Sequence, residues 1–274
     1  MTKRKIYISG LGLVFVLTLF MLDFPARTQE HDIRYIGIPD AAAGLVLQYV
    51  LKEKMGQHAI RMIRYEPYVL HDCCATASQY ALSSGRIDIA VMCPEAAGIL
   101  VAKDLRYEIL GPVIQNSDVL ITRTGAEPSD IRIAVSQKRN FQRQMVLQRF
   151  GRNSRPVPML HAGVPFAYTR GVVQGAVVDI TRAFWLEGIL SQATGRGQNI
   201  NTYVMVIKKS LKSTEVFQNF MQIYGLAVRE TENSEQLLEL FQTYISKEYT
   251  MKEVSVWKKL NVHFTLPLNS PPQG

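Results

Sequence analysis

The sequence predicts an α/β fold of two βαβ lobes, each with a mixed, mostly parallel sheet, joined by two crossing segments. Short apolar runs alternate with stretches of helical periodicity, which is the pattern of βαβ units and parallel pairing. That alternation passes through two rounds, one from residue 32 and one from near 129. Extended apolar segments over 111–121 and 202–207 stand between and after the rounds, where a chain would cross from lobe to lobe and return. The expected boundaries are 32–115 for the first lobe, 116–205 for the second, 206–265 for the return with C-terminal helices, and 266–274 for a polar, proline-rich tail.

Each element has a local reason. Residues 33–38 read as a strand broken by Pro39-Asp40, and 41–55 as a helix ending near Gly56. A second strand is expected over 60–65, a loop over 66–71, and a helix over 72–84 that Asp72 would cap. Gly85-Arg86 then turns into 87–92, a strand apolar enough to be covered on both faces. In the second round, 131–135 is a strand and Ser136 a candidate cap for a helix through Phe150. A strand over 157–160, a helix over 166–173 and a strand over 175–180 follow. Ser84-Gly85-Arg86-Ile87-Asp88-Ile89 and Gln174-Gly175-Ala176-Val177-Val178-Asp179-Ile180 share a glycine–apolar–Asp–apolar course. Residues 213–224 and 234–248 have the apolar spacing of surface helices.

Composition narrows the function. Hydrophobic residues make up 47% of the 274 and charged residues 20%, a globular balance. The formal charge is +8, but the basic residues are scattered, and no basic run or arginine-rich helix marks a nucleic-acid partner. Lys3-Arg4-Lys5 precedes an apolar run over 6–22, which reads as an export signal or an N-terminal anchor occupying 1–26. The expected location is extracytoplasmic, in the periplasm or on the outer face of the cytoplasmic membrane. Membrane attachment would need that N-terminal helix to be retained.

In open α/β sheets ligands sit beyond the carboxyl ends of the strands. Applied here, that rule selects Asp40, the stretch up to Cys74, Met92–Glu95, Ser136–Asn140, His161–Val164 and 180–183. All three cysteines, Cys73, Cys74 and Cys93, fall on it. Cys73 and Cys74 follow Asp72 on the first turn of an expected helix, where the helix dipole favours thiolate. Cys93 ends the 87–92 strand and precedes Pro94. Clustered thiolates select soft metals. A cysteine taken singly is more often a small buried apolar residue. His71, Met92 and His161 are nearby candidate ligands or supporting groups. Zinc spacing of the C-x-x-C kind is absent. A separate anion site is expected where Ser136-Gln137-Lys138-Arg139-Asn140 opens a helix near Arg182.

The export signal, two βαβ rounds, two crossing segments and C-terminal helices resemble the type II periplasmic substrate-binding proteins of ABC transporters, across roughly 32–264. The resemblance implies a cleft that closes on a small ligand by hinge motion, and a transporter permease as partner. His71-Asp72-Cys73-Cys74-Ala75-Thr76 is similar to the motif of a narrower group, the exported binding proteins of selenocysteine-assisted organometal-handling systems. That likeness implies that Cys73 and Cys74 contact a thiophilic metal or organometal, although both positions are cysteine here. The expected function is therefore binding, with no catalysis and no cofactor. The alternatives are a thiol-dependent exported enzyme, redox-active or cleaving a carbon–metal bond, and a binding protein for an organic anion held by Arg182 and the Ser136 helix start. Against the enzyme, no C-x-x-C and no confidently placed nucleophile–His–Asp set is present.

Overall fold

The protein is described by a computed structural model over residues 35–54, 66–70, 83–85, 87–123, 131–151, 154–194 and 199–267. The chain opens with β1 (Tyr35–Pro39), helix α1 (Gly44–Tyr49) running into a π-helical turn (Val50–Lys54), and β2 (Glu66–Leu70). Then come β3 (Ile89–Met92), α2 (Pro94–Lys103) and β4 (Tyr107–Gln115). The second sheet is built from β5 (Asp118–Thr122), β6 (Arg132–Ser136), β7 (Arg155–Met159), β8 (Gly175–Asp179) and β9 (Ile189–Gln192). Helices α3 (Asn140–Phe150), α4 (Gly163–Thr169) and the single turn α5 (Ile180–Ala183) connect them. Strand β10 (Asn201–Lys208), helices α6 (Glu215–Glu230), α7 (Ser234–Tyr244) and α8 (Met251–Lys259), and the short β11 (His263–Phe264) complete the chain.

The first sheet has the order β11-β4-β10-β3-β1-β2 and the second β7-β6-β8-β5-β9. They share one plan. A parallel trio (β2-β1-β3, then β7-β6-β8) continues through two antiparallel strands, β10 and β4 in the first sheet and β5 and β9 in the second. Strands at the centre of each sheet are covered on both faces, which is why they read as unbroken apolar runs. Ile89 to Met92 and Tyr203, Met205, Val206 and Ile207 are each no more than 2% exposed. The C-terminal helices are capped by Thr214, Asn233 and Thr250, the last in a reciprocal capping box with Glu253.

The chain crosses between sheets at Asn116-Ser117 and again between β9 and β10. Asn116 has φ 60°, a left-handed conformation that Asn tolerates better than most residues. Its backbone N–H donates to Ile200 O and its side-chain oxygen accepts from Ile200 N. Beside it, the Thr202 hydroxyl accepts from Ser117 Oγ at 2.8 Å and donates to Ile114 O at 3.1 Å. The two crossings are thus stitched together by buried polar groups.

Several elements differ from the sequence reading. Residues 66–70, expected as part of a loop, form an edge strand, a place in a sheet where Pro67 is tolerated. Segment 202–207 lies wholly within the first sheet, so the return crossing falls before it. The helix expected over 166–173 is Gly163–Thr169, with Pro165 in its first turn. Ser136 is not a helix cap: it ends β6, two turn residues follow, and Arg139 holds the N-cap position. The two Gly…Asp echoes are also not equivalent. Asp88 stands before β3, paired with Lys208 Nζ at 2.6 Å, whereas Asp179 ends β8. Residues 1–26 and 60–65, most of 72–84, His71, Cys73 and Cys74 lie outside the described residues. Among the described residues, no helix is long and apolar enough to cross a membrane.

Candidate functional site: a crevice bridged from both sheets

The carboxyl ends of the parallel strands place Asp40 after β1, Cys93 after β3, Gln137 after β6 and the Asp179–Thr181 turn after β8. Cys93 and Asp179 hold matching places in the two sheets. Cys93 follows the third strand of its parallel trio and Asp179 ends the third strand of the other, and each is the extended N-cap residue of the next helix. Pro94 at the first helical position keeps the Cys93 turn in place, and Cys93 itself is fully buried.

Groups from these turns meet across the crevice. Asp179 Oδ1 accepts from the Ala42 backbone N–H at 3.1 Å. Glu95 Oε1, from the first turn of α2, accepts from the Phe141 N–H at the start of α3, also at 3.1 Å. Arg182 and Asp40 approach to 3.7 Å, with Asp40 largely exposed. Farther out, the Tyr249 hydroxyl donates to Thr181 O at 3.2 Å, and its ring packs on Phe184 and Trp185.

Asp179 is the most perturbed carboxyl of this group. It is fully buried, and its Oδ1 also accepts from Thr181 N and Oγ1, while Oδ2 has no partner. Burial pushes its pKa from 3.8 up to about 6, against the lowering effect of the Thr181 bond. Asp118, directly opposite on β5, adds repulsion.

The expected anion site is rearranged. Arg139 is 2% exposed and committed to Asp118 through bonds of 2.8 and 2.6 Å, with its guanidinium 4.7 Å from the Tyr203 ring centroid. Gln142 Nε2 joins the same carboxylate, and its oxygen accepts from Ser136 N. The Ser136 hydroxyl pairs with His161 Nδ1 at 2.9 Å. The amide of Phe141 at the helix start already carries Glu95. A cavity of about 460 Å³ remains beside Gln137, Asn140 and Arg143.

The sequence matches no protein-family model and no curated protein. Its fold, however, is matched by many solved structures. The ligand-binding component of an ABC-type import system from Staphylococcus aureus, with zinc bound, superposes with a TM-score of 0.67, at 14% identity and over 85% of each chain. The periplasmic aliphatic sulphonate binding protein SsuA from Escherichia coli gives 0.61 at 13% identity, over 85% of this chain and 80% of that one. The methionine binding protein MetQ gives 0.54 at 17% identity, over 76% and 95%.

The chain has the type II periplasmic-binding-protein fold. Identities this low carry the fold and not the ligand. Within that fold the structure brings Asp40 and Arg182 together, pairs Ser136 with His161, and buries Cys93 and Met92 beneath the crevice face. No grouping of three or more His, Cys, Asp or Glu suited to a metal ion occurs among the described residues. Sequence reasoning selected the turn containing Glu95 but gave that residue no role, and it stopped one residue short of Asp179. Asp118 and Gln142 were missed altogether, since nothing local marks a strand-start aspartate as the partner of a distant arginine.

Proposed function

We propose that the chain is the extracytoplasmic ligand-binding component of an ABC import system, without catalytic activity, passing a small ligand to a membrane permease. Its two lobes, 32–115 with 206–265 and 116–205, would open and close about the stitched crossings. The observation that carries this reading is the crevice itself. Groups at the carboxyl ends of both parallel trios meet there, through Asp40–Arg182, Ala42–Asp179 and Phe141–Glu95. The solved structures of similar fold include the ligand-binding component of an ABC-type import system and two further binding proteins, which supports the same reading.

For the ligand we favour a thiophilic metal or organometal held by Cys73 and Cys74, with Cys93 contributing and His71 nearby. The competing organic-anion reading, with Arg182 and the Ser136 helix start as its two elements, loses ground at the helix start. Arg139 neutralises Asp118, and the α3 start is taken by Glu95, which leaves Arg182 facing Asp40. The test is a calorimetric titration of reduced protein with a methylmercury compound, against a small competing thiol in excess. Wild type should bind and compact in small-angle scattering; a Cys73→Ser, Cys74→Ser double variant should fold but not bind, and Cys93→Ser should bind more weakly. Equal binding by wild type and the double variant overturns the thiol site. Recovery of inorganic mercury in place of methylmercury would favour the enzyme alternative.

A further inference from the structure

The two carboxylate contacts across the crevice are reciprocal. The first sheet sends Glu95, from the turn after β3, to an amide at the start of the second sheet's first helix. The second sheet sends Asp179, from the end of β8, to the amide of Ala42 just before α1. Each carboxylate uses one oxygen in the contact, and in each the other oxygen is buried without a partner. A buried carboxylate with one bare oxygen is costly when charged and much less so when protonated. Opening the crevice would return both oxygens to water.

We infer that Glu95 and Asp179 form a reciprocal latch across the crevice, and that protonation of Asp179 sets how firmly it closes. The inference rests on the reading that the crevice opens. The charged and titratable groups around Asp179 leave it as the responsive member. Asp118 on β5, paired with Arg139, still adds repulsion that raises Asp179 further. Arg182 on α5 faces the exposed Asp40 beyond β1. Tyr249, behind α7, donates to Thr181 O and stays protonated, with its pKa near 12.

The sign follows from burial. Closed, Asp179 holds its proton up to about pH 6; opening returns its carboxyl to water and moves that value down toward the ordinary 3.8. The protonated form therefore favours the closed crevice, fully below 3.8, and this advantage is lost as pH rises through about 6. Between pH 8 and pH 5 the closed-to-open ratio should rise, by up to about tenfold.

The experiment measures hydrogen exchange of the Ala42 and Phe141 amides in the full chain in detergent micelles, from pH 8 to pH 5, corrected for the intrinsic rate. Wild-type protection at both amides should rise, by up to about tenfold, toward pH 5. Asp179→Asn should flatten that rise. Glu95→Ala should lower protection at Ala42, which Glu95 does not touch; a change confined to Phe141 would overturn the reciprocal latch. If Asp179→Asn does not fold, Thr181→Val serves. Losing its 2.6 Å bond to Asp179 should move the pH midpoint upward, and an unmoved midpoint overturns the proposal. A wild-type response that survives in Asp179→Asn also overturns it. The methylmercury titration, run at one pH, succeeds or fails independently of all these outcomes.

Discussion

Arg139 shows how a residue that looks like a ligand clamp in the sequence can serve the interior instead. Beside Ser136 and Lys138 it reads as part of an anion-binding helix start, yet its guanidinium is buried on Asp118 and over Tyr203. Removing one member of a buried ion pair strands the other charge, which costs about 3–5 kcal/mol. Arg139→Met should therefore lose that much stability in urea unfolding, and adding Asp118→Leu should restore part of it. A loss below about 1 kcal/mol in the single variant would show that the pair is dispensable. Asp179 is the opposite case, a carboxyl whose burial has no cation to offset it and whose effect depends on pH.

At the scale of elements, proline and capping residues decided most of what was legible. Each sheet ends on a strand containing proline, β2 with Pro67 and β7 with Pro156 and Pro158. Proline removes one donor from the ladder, so it falls at an edge or at an irregularity, as Pro112 does where the pairing of β4 with β10 shifts register. The loop expected over 66–71 contains Pro67, and its first five residues are this edge strand. The start of α1 was also misjudged. The apolar pattern begins at Ala41, but the turn 40–43 is held open by the Ala42 contact with Asp179, and a Cβ on Gly44 would run into Pro39 O. The capping box of α8 is local and conspicuous. Thr250→Ala should cost about 1 kcal/mol in a thermal or urea melt while Thr250→Ser costs little, and equal losses from both would argue against the cap.

At the scale of the whole molecule, the two crossings join the sheets. Asn116 ties the outward crossing to the return through Ile200, and reaches Asn261 O at 2.8 Å. Asn116→Gly keeps the left-handed backbone accessible while deleting the side-chain bonds; Asn116→Ala deletes the bonds and adds strain of about 1–2 kcal/mol. Both should shift small-angle scattering toward a more open form, with alanine also melting lower; unchanged profiles would place the hinge elsewhere. By itself the sequence determined the alternation of strands and helices, the two rounds, and the turns at the carboxyl ends of the strands, because apolar period and turn chemistry act over a few residues. It did not determine which charges cancel, since Arg139 and Asp118 are 21 residues apart and Ala42 and Asp179 are 137 apart. Those pairings exist only once two sheets face one crevice, and the fully buried environment that raises the Asp179 pKa is a property of that packing, which no local pattern encodes.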